Sequence, residues 1–219
     1  MRGTFLEIRP RALTDNARRA RALANGARVF AMVKANGYGH GLGLAARAFA
    51  NAVDGLGVAV IEEAQALRHL GLAHPLLVAE GFFDAEELAL AARLHAEVVV
   101  HSPWQVDLLV AQPRPVGVWL KVNTGMNRLG RSAADADAIA QDETLTRGIE
   151  VSLVMSHLAC SDDEGHPRNA LQLARFSGIW ERLRPRFPGA VASLANSGGI
   201  WLGADYHFGL VRPGVSLYG

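Results

Sequence analysis

Eight short apolar segments recur along this chain of 219 residues, and stretches with helical spacing lie between most of them. Short strands that alternate with helices indicate parallel β–α units, because two parallel strands need a long crossover between them. Eight such units predict an α/β fold, a closed (β/α)8 barrel of the TIM type, in one domain over residues 1–219. The predicted strands are residues 29–35, 55–60, 76–79, 97–100, 116–122, 149–155, 192–194 and 210–211.

Helix signals lie between the predicted strands. Thr14, Asp15 and Asn16 are candidates to cap a helix over residues 13–23. Ser102 and Pro103 predict a helix start, since serine suits the N-cap and proline the first helical position. Further helices are predicted over residues 42–50, 61–68 and 168–183, with an acidic start at residues 84–87. The chain ends just after the eighth strand, so we expect a barrel without its last helix and an apolar seam in that place.

Composition excludes several functional classes. Half of the residues are hydrophobic and 20% are charged, as in soluble globular proteins. The net charge is +1 and the basic residues form no block, so nothing indicates a nucleic-acid surface. The single cysteine, Cys160, is typical of a reducing compartment. With no apolar signal region and no apolar run of about 18 residues, we expect a cytoplasmic domain without a membrane span.

The first predicted strand ends in a lysine. Lys34 is followed by a turn that contains Gly37, Gly39 and Gly41, which let the backbone turn tightly against a ligand. Lysine is rarely fully buried unless it is paired. In a barrel mouth, loss of hydration favours the neutral amine, which can attack an aldehyde. The alternative is an edge lysine that reaches water before an ordinary β–α turn.

Five polar residues fall at or just after predicted strand ends: Lys34, Arg128, His157, Ser197 and Arg212. Function in barrels of this class lies at the carboxyl ends of the strands, so their common placement predicts one site. Taken singly, residues 196–199 are also typical of a helix N-cap and residues 213–214 of a turn.

The chain carries five polar or glycine-containing motifs, at residues 33–41, 121–130, 155–157, 194–197 and 212–219. Taken in order, they resemble those of bacterial alanine racemases, which are fold type III enzymes that use pyridoxal 5′-phosphate (PLP). The resemblance covers the N-terminal barrel of that family and then stops. Two positions depart from it: Gly37 stands where the family more often has alanine, and Asn123 where it often has aspartate.

The resemblance implies a PLP site that interconverts L- and D-alanine and so supplies D-alanine for peptidoglycan. It assigns Lys34 to covalent attachment of PLP and to one of two bases that move the Cα proton. Arg212 would face the pyridine nitrogen, and Arg128 would bind the phenolic oxygen of PLP and the substrate carboxylate. His157 would support the cofactor ring. The phosphate site is assigned to Tyr38, Ser197, Gly214 and Val215, with Asn196 beside it.

The resemblance also implies features beyond these contacts. Lys121 matches a lysine that is carbamylated in many members, which would give an anion able to pair with Arg128. The second base would be a tyrosine from the C-terminal domain of a partner subunit in a homodimer. We therefore expect the chain to bind PLP but to racemise alanine poorly, or not at all, without that β-rich domain.

Other interpretations stay open at this point. A single-domain PLP carrier without turnover, or a related PLP enzyme such as an amino-acid decarboxylase or D-threonine aldolase, uses the same barrel class. The glycines at 37–41 do not fit the dinucleotide fingerprint. A metal site is a weaker hypothesis, because the spacing fits no strong zinc pattern. Its candidate ligands are His157, Cys160, Asp162, Asp163 and His166.

Overall fold

The computed structural model describes residues 3, 6–141 and 149–219. Eight strands run through these ranges: β1 (Arg28–Met32), β2 (Gly55–Val58), β3 (Leu76–Val78), β4 (Glu97–Val100), β5 (Val118–Lys121), β6 (Val151–Met155), β7 (Val191–Ser193) and β8 (Leu210–Val211). They form one sheet in the order β7-β6-β5-β4-β3-β2-β1-β8, and the paired neighbours are parallel. The N–H of Gly209 donates to the carbonyl of Ala192 at 3.1 Å, which brings β8 to β7 and closes the barrel.

Helices surround this barrel, as the sequence predicts. They are α1 (Pro10–Leu23), α3 (Leu42–Phe49), α4 (Ile61–His69), α5 (Ala85–Arg93), α6 (Pro103–Ala111), α7 (Ala133–Gln141) and α8 (Pro167–Leu183). The short segment α2 (Lys34–Tyr38) between β1 and α3 is a left-handed turn. Short 3-10 turns cover Gly198–Ile200, Ala204–Tyr206 and Val215–Leu217. Within the described residues, no helix is long and apolar enough to cross a membrane.

Most predicted bounds lie within a few residues of the observed ones, and those of β4 and β8 agree. The capping prediction for α1 is wrong, because Thr14, Asp15 and Asn16 lie inside the helix. The helix begins at Pro10, whose fixed φ suits the first helical position. Helix α7 was not predicted, since its alanines and aspartates carry little apolar pattern.

Helix α1 covers the seam between β8 and β1. No α-helix follows β8 in the described part of the chain, as predicted, but α1 packs its buried face in that place. Leu13 and Ala17 belong to the same apolar cluster as Val29 of β1 and Val211 of β8. The expectation of an exposed apolar seam is therefore wrong, because the helix that precedes β1 substitutes for one that would follow β8.

The alternation of side chains along each strand decides which residues point into the barrel and form the site. Trp119, Leu153 and Leu210 belong to a buried cluster inside the barrel. Side chains two residues apart on a strand point to the same face. Lys121 and Arg212 each lie two residues beyond one of these core residues, and so point inward at the carboxyl end of the barrel.

Candidate active site

The chain turns left-handed directly after Lys34. Ala35, Asn36 and Tyr38 have φ of 52°, 53° and 51°, and Gly37 between them has 61°. Each non-glycine residue in a left-handed turn costs roughly 1–2 kcal/mol, so the surrounding structure must hold this turn in place.

The predicted glycine turn is confirmed within this segment. Gly37, Gly39 and Gly41 all have positive φ, with values of 61°, 85° and 92°. Gly37 is also needed for close packing, because a Cβ there would lie 2.9 Å from the Cβ of Ala45 in α3. The turn directs Lys34 toward Tyr38, with its Nζ 5.9 Å from the centroid of the Tyr38 ring.

A cavity of about 300 Å³ opens at the carboxyl ends of the strands. Every site residue predicted from the sequence lines it, although these residues come from five separate segments of the chain. They are Lys34, Tyr38, Lys121, Arg128, His157, Asn196, Ser197, Arg212, Gly214 and Val215. The structure therefore brings the whole predicted set together, while the contact assigned to each residue stays a prediction.

Arg212 is built into the wall of the cavity. Its side chain is almost fully buried, and Nη2 donates to the carbonyls of Ser156 and Leu194, while Nη1 donates to the Ser193 hydroxyl. Burial lowers the pKa of Arg212 to about 9, so the guanidinium still carries its charge at neutral pH. A guanidinium has five N–H donors, so others remain for a ligand.

A cradle of hydrogen-bond donors lines the same cavity as Lys34. The Ser197 hydroxyl oxygen accepts from the N–H of Gly214 at 2.8 Å and from that of Ser216 at 3.2 Å. Its own O–H is left to donate to an anion. A Cβ at position 214 would collide with the Tyr38 hydroxyl, so only glycine fits here. Burial raises the pKa of Tyr38, which keeps that hydroxyl protonated as a further donor.

Tyr218 supports this cradle, a role that its motif alone did not reveal. Its ring stacks on that of Tyr38 with centroids 4.8 Å apart, and its hydroxyl donates to the carbonyl of Met32 at 3.0 Å. Burial raises the pKa of Tyr218 well above its usual range. Tyr218 therefore stays protonated and keeps its bond to the β1 backbone.

His157 is a neutral ring in this site. Burial, followed by the nearby charges of Arg212 and Lys121, lowers the pKa of His157 to about 3. The Nε2 of the neutral ring lies 3.3 Å from the Asn196 amide nitrogen, which donates to it. The pair links the segment after β6 to the segment after β7.

Because the folded chain keeps His157 neutral, its stability should fall as the pH is lowered. Below pH 6.5 the unfolded chain binds a proton that the folded chain excludes until about pH 3. We expect the free energy of unfolding to fall by up to about 1.4 kcal/mol per pH unit between pH 6.5 and about 5, above the range of most carboxylates. Urea unfolding across this range measures the slope.

A His157→Gln variant should lose this contribution to the slope, whereas a variant at the exposed His69, His69→Gln, should keep it. Equal slopes in the unmodified chain and in His157→Gln would contradict the account.

Lys121 is the most buried lysine of the site, with 5% of its surface exposed. Burial, followed by the charges of Arg128 and Arg212, lowers the pKa of Lys121 to about 8. The carboxylate of Glu80, which also lines the cavity and was not predicted, acts in the opposite direction. An appreciable fraction of the Lys121 amine is therefore neutral near physiological pH.

The loop that carries Arg128 tolerates asparagine at position 123. The Asn123 side-chain oxygen accepts from the N–H of Gly125 at 3.0 Å and from that of Asn127 at 3.1 Å. These bonds need an acceptor oxygen but no charge, so an amide serves as well as a carboxylate would.

The small number of lysines is a further sequence signal that indicates the reactive residues of the cavity. The chain contains twenty arginines but only two lysines, and both lysines line the cavity. Arginine and lysine both suit exposed positions, whereas an amine that must react or lose its charge requires lysine. The scarcity of lysine therefore points to Lys34 and Lys121 independently of any motif.

The candidate metal ligands His157 and His166 make other contacts in the structure. The His166 Nδ1 accepts from the N–H of Arg168 at 3.1 Å and so caps α8. His157 faces the cavity instead. Among the residues that the structure describes, no group of three or more His, Cys, Asp or Glu side chains is placed to hold a metal ion.

Comparison with known proteins shows which family shares this sequence. The family model for the alanine racemase N-terminal domain matches residues 8–219. The chain belongs to the alanine racemase family. It is 52% identical to the alanine racemase of Alcanivorax borkumensis over 219 residues, which are 100% of this chain and 60% of that protein. It is 41% identical to the enzyme of Pectobacterium atrosepticum over 215 residues, 97% of this chain and 58% of that protein.

Solved structures of alanine racemases share the fold. The enzyme from Acinetobacter baumannii superposes with a TM-score of 0.86 at 34% identity, covering 96% of this chain and 62% of that chain. The enzyme from Bartonella henselae, solved with covalently bound pyridoxal phosphate, gives 0.87 at 32% identity, with 97% and 62% covered. The chain thus spans about 60% of the length of the alanine racemases that it matches.

Proposed function

We propose that this chain is the PLP-binding part of an alanine racemase, which interconverts L- and D-alanine by moving the Cα proton. The observation that carries the proposal is the position of Lys34. This lysine lies at the end of the β1 segment and lines a cavity whose other walls carry Lys121, Arg128 and Arg212. An amine beside several cations suits an anionic aldehyde better than a neutral ligand.

The donor set of the cavity fits PLP. The Ser197 O–H, the Tyr38 O–H and the N–H of Val215 offer donors for a phosphate. The Gly214 N–H is bonded to the Ser197 oxygen and so orients that hydroxyl, and the missing Cβ at Gly214 leaves the close approach open. Arg212 has N–H groups left for the pyridine nitrogen. When bound, PLP supplies the electron sink that makes the Cα–H bond of an attached amino acid acidic.

The residues of this chain would divide the work as follows. Lys34 attaches the cofactor, and its amine removes or returns the Cα proton on one face of the substrate. Arg128 holds the substrate carboxylate through its planar fork. Arg212 keeps its own proton, so it donates to the ring nitrogen without protonating it, which suppresses side reactions such as transamination. Neutral His157, held by Asn196, orients the cofactor ring.

The second base would come from outside this domain. Following the family pattern, we propose that the full-length protein is a homodimer and that a tyrosine of the partner's C-terminal domain serves the opposite face. The product would supply peptidoglycan synthesis, and the single cysteine favours the cytoplasm as the place of reaction.

We also propose that Lys121 carries a carbamate. Its neutral amine would add carbon dioxide, forming an N–C bond and releasing one proton, and the anion would pair with Arg128. This removes the conflict between two neighbouring cations. A carbamate carbon signal in NMR spectra with ¹³C-bicarbonate, absent in Lys121→Arg, is the expected result. The same signal in both proteins would contradict it.

A chimera tests the racemase proposal. This chain replaces the matching 60% of the A. borkumensis enzyme, and alanine is followed in D₂O by ¹H NMR and by the appearance of the other enantiomer. We expect exchange of the Cα proton and racemisation, both lost in the Lys34→Ala chimera. A folded chimera that binds PLP but exchanges no proton would favour a carrier without turnover.

A further inference from the structure

We propose that Glu63 is a positioning residue that locks the turn after Lys34 and so fixes the lysine at the cavity. This inference rests on the proposed role of Lys34 as the site of PLP attachment. Glu63 lies in the first turn of α4, outside the motifs and outside the set of residues that line the cavity.

The turn itself needs an external hold. Four successive residues, from Ala35 to Tyr38, occupy the left-handed region, and three of them are not glycine. Such a conformation persists only where the surroundings over-determine it. The N–H of Gly37 donates to the carbonyl of Val33, and that of Gly39 to the carbonyl of Ala35. The N–H of Ala35, at the start of the turn, donates instead to Glu63 Oε1 at 2.7 Å.

The second carboxylate oxygen of Glu63 accepts a hydrogen bond from the loop that follows β2. Glu63 Oε2 accepts from the N–H of Ala59 at 2.8 Å, directly after β2. One carboxylate thus joins the segments that follow β1 and β2, and both Lys34 and Ala59 line the cavity. Hydrogen bonds to an ionised acceptor are among the stronger ones in proteins.

Helix α4 carries this carboxylate at its N-terminal end. Its N-cap residue, Val60, has no side chain that can cap the helix. An acidic side chain in the first turn is stabilised by the free N–H groups and the helix dipole. The adjacent Glu62 shares that first turn but is exposed, so it offers a matched control.

The first readout uses the chain without PLP. Amide hydrogen exchange at Ala35 and Ala59, followed by NMR, should be about tenfold faster or more in Glu63→Ala and unchanged in Glu62→Ala. Glu63→Gln keeps the length of the side chain but only one acceptor oxygen, so at least one of the two amides should lose protection. Unchanged protection of both amides in Glu63→Ala and Glu63→Gln would overturn the proposal.

The second readout is the rate at which PLP attaches to Lys34, trapped with borohydride and measured under conditions where each variant is folded. We expect Glu63→Ala to slow attachment about tenfold and to shift the absorbance band of attached PLP, with Glu62→Ala unchanged. A merely structural role would lower the urea midpoint and leave the attachment rate of folded protein unchanged, which overturns the positioning role.

The two proposals fail separately in this experiment. If the unmodified chain attaches no PLP, the proposed function fails, while amide exchange at Ala35 and Ala59 still decides whether Glu63 locks the turn.

Discussion

Replacement of Lys34 by alanine is expected to abolish covalent attachment of PLP to the side chains of this protein. Lys34 and Lys121 are the only lysines in the chain, so borohydride reduction followed by peptide mass spectrometry identifies the reacting amine without ambiguity. In the unmodified chain we expect the label on Lys34. In the chimera, loss of this base should lower the rate of racemisation by at least about 10²–10⁴-fold.

Lys121→Ala is the matched control for this substitution. Lys121 lines the same cavity and is more deeply buried, so its replacement removes the other amine of the same site. We expect Lys121→Ala to keep the borohydride-dependent label on Lys34. The assignment of Lys34 would be contradicted if the Lys34→Ala protein were labelled, on Lys121 or on the N-terminal amine, at the full yield of the unmodified chain.

Replacement of Arg212 by methionine should destabilise the fold as well as the cofactor site. The carbonyls of Ser156 and Leu194 accept from its Nη2 in the buried wall of the barrel. A buried acceptor left without a donor costs about 1–3 kcal/mol, so the two carbonyls predict a loss of roughly 2–6 kcal/mol in the free energy of unfolding. Urea unfolding of the chain without PLP measures this directly.

Two further variants separate the causes of such a loss. The exposed Arg114→Met should change the free energy of unfolding by no more than about 0.5 kcal/mol. Arg212→Lys keeps the charge but lacks the planar fork, so it should recover only part of the stability and bind PLP more weakly than the unmodified chain. Unfolding of Arg212→Met at the same urea concentration as the unmodified chain would show that these hydrogen bonds do not hold the barrel together.

Local pattern was sufficient to predict the barrel. Continuous apolar runs such as residues 98–100 and 210–211 are buried on both faces, as is typical of parallel strands, and they end where polar residues resume. The same pattern locates strand ends, so polar residues such as Lys34 and His157 were predicted to meet at one edge of the barrel. The five residues predicted from strand ends line the cavity because strand direction is already present in the apolar pattern. The others were expected there from the family resemblance: Tyr38, Lys121, Asn196, Gly214 and Val215.

Tertiary structure decided the features that depend on residues far apart in the chain. Helix α1 covers the seam beside β8 through packing between the two ends of the sequence, which no local pattern contains. Glu63 reaches the backbone of Ala35 across 28 positions of sequence, and the left-handed turn persists only because such bonds offset its strain. The low pKa values of Lys121 and His157 likewise arise from burial beside cations that the fold assembles. The sequence by itself determined which groups meet at the cavity. The fold determined the protonation state of these groups and the backbone conformation around them, because protonation depends on the local dielectric and conformation depends on the contacts around each group.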